Sequence, residues 1–144
     1  MKREPQAPGR SIATMNRRRA ASYILWAMAV YTGLIGLLFA AYHPGAAAFF
    51  RTPVRDPRSL FGFGISLLTI AALKVVIAQD PVRHRTMVGI ILASEVVFAL
   101  WQLYEWIGHG WTAVAATGLI DTTFVILLAA YFPRRDLRMA DASP

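Results

Sequence analysis

Four apolar stretches of 20 or more residues occupy most of this 144-residue chain, and runs of that length restrict what it can fold into. At about 1.5 Å per helical residue, 20 residues match the roughly 30 Å hydrocarbon core of a bilayer. The pattern predicts an all-α, integral membrane, antiparallel four-helix bundle. The spans run over about 20–43, 59–79, 86–108 and 111–132, inside a 20–133 domain. Pro44-Gly45, Asp80-Pro81 and Pro133 punctuate them. Charged residues make up 16% of the chain, against about 25% in soluble domains, which leaves no room for a separate soluble domain. With no cysteine, disulfides and thiolate metal sites are excluded.

The net charge of +7 would suggest nucleic acid in a soluble chain, but here the basic residues crowd the ends of the apolar segments. Lys2, Arg3, Arg10, Arg17, Arg18, Arg19, Arg83, Arg85, Arg134, Arg135 and Arg138 fall on one side, against Arg51, Arg55 and Arg58 on the other. The positive-inside rule places both termini in the cytoplasm, with anionic headgroups as partners at that face and no nucleic acid. Tyr23, Trp26, Tyr131 and Phe132 mark the inner boundary, and Tyr42, Trp106 and Trp111 the outer one. The first span is too long for a signal peptide and lacks a cleavage site. Residues 1–19 read as a disordered basic tail, with Met15 an alternative start, and 134–144 as a basic C-terminal tail. Ala46 to Phe50 suits a short segment in the outer interface, with a loop as the alternative. The preponderance of Arg over Lys, 13 to 2, suits a GC-rich genome, and the chain is expected in a bacterial inner membrane.

In lipid, helices associate where small residues let backbones approach. Ala29, Gly33, Gly36 and Ala40 form one such stripe on the first span, and Gly62, Ser66 and Thr69 another on the second. Both are expected to pack within the molecule, with a dimerisation seam as the alternative.

Three ionisable groups lie at depth. Glu95 is about 14 Å into the third span, Asp121 about 15 Å into the fourth and Lys74 about 7.5 Å from the inner end of the second. Facing lipid unpaired, each would cost at least roughly 2.5–3.5 kcal/mol, so they are expected to turn inward together. One lysine balances one carboxylate, and the leftover carboxyl can carry a proton or bind a cation. The competing expectation is an ion pair that fixes helix register. At the outer end Glu105 and His109 are four apart, with His43 at the same level, a set able to chelate a metal or ligate a haem edge. Headgroup-level polar residues are the plainer account, and no cofactor is expected. No phosphate-binding loop, Ser-His-Asp order, His-Glu-x-x-His or Glu-x-x-His motif calls for enzyme activity.

A second span opening with Leu60-Phe61-Gly62-Phe63-Gly64 and closing with Asp80-Pro81-Val82-Arg83-His84-Arg85 resembles small bacterial four-helix membrane proteins. So does the run Gly118-Leu119-Ile120-Asp121-Thr122-Thr123-Phe124. These proteins are grouped as BphX-like, with DoxX-like proteins a more distant comparison. The resemblance implies a membrane location and four helices over residues 20–133, and it supplies no reaction. Members often place a basic residue in the third span, near where this chain has Glu95; here the basic residue is Lys74 on the second. Three functions fit. The first is an accessory subunit of a larger membrane complex, or a homo-oligomer, whose central charges fix its fold. The second is a proton- or cation-coupled transporter using Glu95, Asp121 and Lys74, and the third a metal or haem redox protein using His43, Glu105 and His109.

Overall fold

The computed structural model describes residues 8–50, 57–110 and 113–133; for 8–15, 43, 109 and 113 the description is of the backbone alone. Among the described residues the chain is all-helical, with five helices and no strand: α1 (Pro8–Ala41), α2 (His43–Phe49), α3 (Pro57–Gln79), α4 (Arg85–His109) and α5 (Ala113–Ala130). Three segments are long and apolar enough to cross a membrane by length and composition: Asn16–Ala41, Pro57–Gln79 and Arg85–Gly108. The fourth apolar helix, α5, is shorter, 18 residues or about 27 Å.

The helix boundaries follow from the local chemistry. Where the sequence predicts a first span from Ala20 and a disordered tail before it, α1 starts at Pro8. The intervening stretch holds no breaker after Gly9, and proline suits a first turn because its missing N–H has no helical partner there. Residues 1–7 lie outside the described residues. At the other end Tyr42 leaves helical geometry (φ −138°, ψ 56°), and Pro44 falls in the first turn of α2, where it starts a helix rather than breaking one. The Tyr42 N–H donates back to Leu38 (3.0 Å) and its carbonyl accepts from Ala46 (3.0 Å), so one residue closes α1 and opens α2. Gly110 ends α4 at φ 76°, a conformation that side chains disfavour, with its N–H on the Trp106 carbonyl at 2.8 Å. In the α3–α4 turn the Asp80 carboxylate accepts from the Arg83 N–H at 3.2 Å and pairs with Arg18 at 3.5 Å.

α1 packs most extensively on α3, and α4 on α5. Ala21, Leu25, Met28, Thr32, Gly36 and Phe39 of α1 are buried at three- and four-residue spacing, one face of a helix, and Gly64, Ala71, Lys74 and Ala78 of α3 do the same. The Ser22 hydroxyl donates to the Ala78 carbonyl (2.6 Å) across this pair. The two pairs meet in an apolar cluster of Leu25, Met28, Ile77, Val88, Ile91 and Leu128, to which all four long helices contribute. α2 folds over the other end, where Phe39 stacks on Phe50 and meets Phe63 edge-on.

The small-residue stripes have different fates. Ala29, Gly33, Gly36 and Ala40 lie toward α3, where a Cβ on Gly33 would meet the Ala71 Cβ at an ordinary 3.6 Å. Gly62, Ser66 and Thr69 are instead exposed, with nothing within 4 Å of where a Gly62 Cβ would be. The close approach to α1 is made by Gly64, two residues and about 200° further round the helix. A Cβ on Gly64 would stand 2.5 Å from the Ala40 nitrogen and 2.8 Å from the Gly36 carbonyl oxygen, both backbone atoms. Gly64→Ala is therefore expected to force α1 and α3 apart and destabilise the protein by about 1–3 kcal/mol, while Gly33→Ala is tolerated. Thermal unfolding of the two variants in mild detergent measures the difference.

Candidate functional site

Large apolar side chains cover much of the exterior, while a few polar ones are buried alongside the apolar core. Val30, Leu34, Leu37, Leu73, Val97, Leu100, Ile107 and Ile126 are all exposed, whereas Thr32, Lys74, Gln102 and Asp121 are buried. The buried polar residues divide into two groups.

The first centres on Lys74. Its side chain is 3% exposed, and its ammonium donates to the Glu95 carboxylate at 2.5 Å and to the Thr32 hydroxyl at 2.9 Å. Helices α1, α3 and α4 are joined through this one nitrogen. Glu95 is 13% exposed and lies one turn beyond Ile91 on α4, where the buried face changes from apolar to polar. Seven residues further on the same face comes Gln102.

Gln102 begins the second group. Its Nε2 donates to the Asp121 carboxylate at 2.9 Å and to the Thr117 hydroxyl at 3.3 Å, and Thr117 donates to the Val114 carbonyl at 2.9 Å. Gly118 makes room for this, since a Cβ there would sit 3.0 Å from the Gln102 Cβ. Asp121, 4% exposed, thus has a neutral amide as its hydrogen-bond partner. The Gln102 Oε1 is buried and without a hydrogen bond. An amide can donate to a carboxylate or, turned over, accept from a carboxylic acid, so Gln102 is chemically able to serve Asp121 in either protonation state. A shallow groove between α4 and α5, lined by Gln102, Leu103, Trp106, Gly118, Leu119 and Thr122, brings the outer surface close to this group.

The three charges expected to meet therefore do so only in part. Lys74 and Glu95 are in contact. Asp121 is bonded to Gln102 instead. Antiparallel packing supplies the reason: 102 and 121 are equidistant from the α4–α5 turn, whereas Glu95 is level with the region of Leu128. Tyr31 and Thr32 carry no signal in the sequence and belong to the site. The Tyr31 hydroxyl is buried with no hydrogen bond, and its ring packs on Phe124 at 5.8 Å. Of the outer set, Glu105 is half-buried and has a partner. The side chains of His43 and His109 lie outside the described residues, so a metal or haem arrangement is not placed.

A family model described as BphX-like matches residues 21–139. Two curated relatives are 30% identical, each match covering 60% of this chain and 78% of the relative. They are an uncharacterised BphX-like protein of Burkholderia cepacia and another of Paraburkholderia xenovorans strain LB400. No solved structure matches the chain significantly.

Removing one member of a buried ion pair leaves the other uncompensated, at about 3–5 kcal/mol, while removing both is far milder. Lys74→Met is expected to destabilise the protein by that order and Lys74→Met/Glu95→Gln to recover most of it. A double-mutant cycle on unfolding in detergent checks this.

Proposed function

The chain belongs to the BphX-like family, and from that premise we propose that it is an integral membrane protein, a four-helix bundle with both termini cytoplasmic, that works as a small proton-coupled transporter. The apolar exterior supports the membrane placement: apolar surfaces solvated by acyl chains carry no cost, and the few buried polar groups must pair. The observation that carries the transport reading is the charge inventory of the interior. Glu95 takes the charge of Lys74, and the hydrogen-bond partner of Asp121 is the uncharged Gln102 amide. With the pair neutral, the net charge of the interior is set by whether Asp121 holds a proton. Such a carboxyl at mid-depth is the usual working part of a proton relay. Asp121→Asn keeps the shape and the amide contact but cannot exchange a proton. In proteoliposomes loaded with a pH-sensitive dye, the wild type is expected to dissipate an imposed proton gradient faster than empty vesicles, and Asp121→Asn to fall to their level. Equal rates for the two proteins would refute the assignment.

One observation favours a second reading, that of a homo-oligomer or accessory subunit of a larger membrane complex. Gly62, Ser66 and Thr69 present a smooth exposed strip, with the Ser66 and Thr69 hydroxyls turned back onto the Gly62 and Ile65 carbonyls at 3.0 Å. Helices approach closely across such surfaces in lipid. Under this reading Gly62→Leu shifts an oligomer toward monomer in mass measurements in mild detergent. A wild type that is monomeric and free of partners removes it.

A further inference from the structure

Arg85 opens α4 just after the α3–α4 turn, and among the described residues its positive charge has no carboxylate partner. Its half-buried guanidinium lies over the Phe132 ring, 5.4 Å from the centroid, so a ring face rather than an anion holds it. Phe132 is itself fixed: it packs against the apolar cluster, and its ring edge is 3.8 Å from where a Gly89 Cβ would stand. A cation–π contact uses the flat face of the guanidinium and leaves its in-plane N–H groups to find acceptors. Nε is enclosed with no acceptor, and the two terminal nitrogens make up the end-on fork of the group. The surroundings supply no anion. Arg18 of α1 is brought to this level by its 3.5 Å pairing with Asp80, with Arg17 and Arg19 on either side of it in the chain and Arg83 in the turn. Asp80 is already taken by Arg18 and by the Arg83 N–H at 3.2 Å. Along the side of α4 that carries Arg85, Gly89, Val96 and Leu100 follow at four, eleven and fifteen residues, all within about 60° at 3.6 residues per turn. Val96 and Leu100 are exposed, so an apolar track continues from the charge toward the middle of the helix.

We propose that Arg85 is the binding site of an anionic phospholipid, whose phosphate takes the guanidinium fork and whose acyl chain lies along Val96 and Leu100. The site rests on the membrane placement proposed above and is independent of proton transport. A phosphodiester carries two unesterified oxygens, the spacing that a planar guanidinium bonds in parallel. Inorganic phosphate fits the fork but has nothing to lay on the apolar track, which makes the lipid the occupant. The remaining arginines at this level select among lipids. A choline headgroup brings its own cation toward them, whereas a glycerol headgroup leaves the phosphate charge uncompensated and so favoured.

Native mass spectrometry of the full-length protein in mild detergent, titrated with phosphatidylglycerol or with phosphatidylcholine of the same chains, tests this. The wild type is expected to retain one phosphatidylglycerol under conditions that strip phosphatidylcholine. Arg85→Gln is expected to weaken that retention about 10-fold, the scale of losing hydrogen bonds to a charged group. Arg83→Gln removes the same charge from an exposed neighbour and should cost far less. Arg85→Lys keeps the charge but lacks the planar fork, so its retention should fall between, and it provides the comparison where Arg85→Gln does not fold. Inorganic phosphate in excess should leave the lipid in place. Equal losses in Arg83→Gln and Arg85→Gln, wild-type retention in Arg85→Lys, or equal retention of the two lipids by the wild type each overturn the site. Displacement by inorganic phosphate overturns the lipid as its occupant. A wild type that takes up neither lipid and stays in solution without detergent overturns the membrane placement, and the site with it.

Discussion

An ammonium group enclosed among apolar helices must find an anion or lose its charge, and the organisation of this molecule follows from how Lys74 meets that demand. Its nitrogen reaches Glu95 on α4 and Thr32 on α1 while anchored on α3, so one charge ties three helices together. Apolar packing brings helices together without choosing a rotation about their axes, because leucine and valine occur on every side of α3 and α4. The ion pair makes that choice: turned elsewhere, Lys74 or Glu95 would stand alone. Once Glu95 faces inward, the periodicity of α4 carries Gln102 inward two turns later, and Gln102 in turn meets Asp121.

That sequence of consequences also assigns the roles of the charged residues. A buried lysine with two equivalent carboxylates would share its charge between them. Here the division is unequal, because the lysine is bonded to one carboxylate and the other is bonded to an amide. The same geometry serves stability at one end of the site and, in the reading proposed, proton exchange at the other. Membership of the BphX-like family, matched over residues 21–139, brings no reaction with it.

Much of this was legible in the sequence, and the failures have identifiable causes. Long apolar runs announced the four long helices, whereas around Ala46 to Phe50 the sequence left a short segment and a loop both open, and α2 forms over His43–Phe49. The buried charges identified themselves by the cost of leaving them in an apolar segment. Partner choice was harder, since depth measured along separate helices omits the rotation and offset between them. Reflection about the short α4–α5 turn would have matched Gln102 with Asp121, a signal present but unused. The packing face of α3 was ambiguous for a stricter reason: Gly62 and Gly64 point about 200° apart, and composition does not distinguish which meets α1. Tyr31 was invisible because a tyrosine in an apolar run is ordinary until its oxygen is seen to be enclosed and unsatisfied. The helical stretch from Pro8 to Arg19 lacks hydrophobic periodicity, though nothing in it opposes a helix either.

The pairing of α1 with α3 and of α4 with α5 leaves cohesion unevenly distributed. Within each pair, interlocked small residues make a stiff two-helix plate; between the plates, the fastening is an oily clasp at one end and an electrostatic latch midway. A body built this way yields first along the join between its plates, pivoting on the clasp with both plates intact. The Lys74–Glu95 pair spans that join, so a slight gape would let water reach the latch.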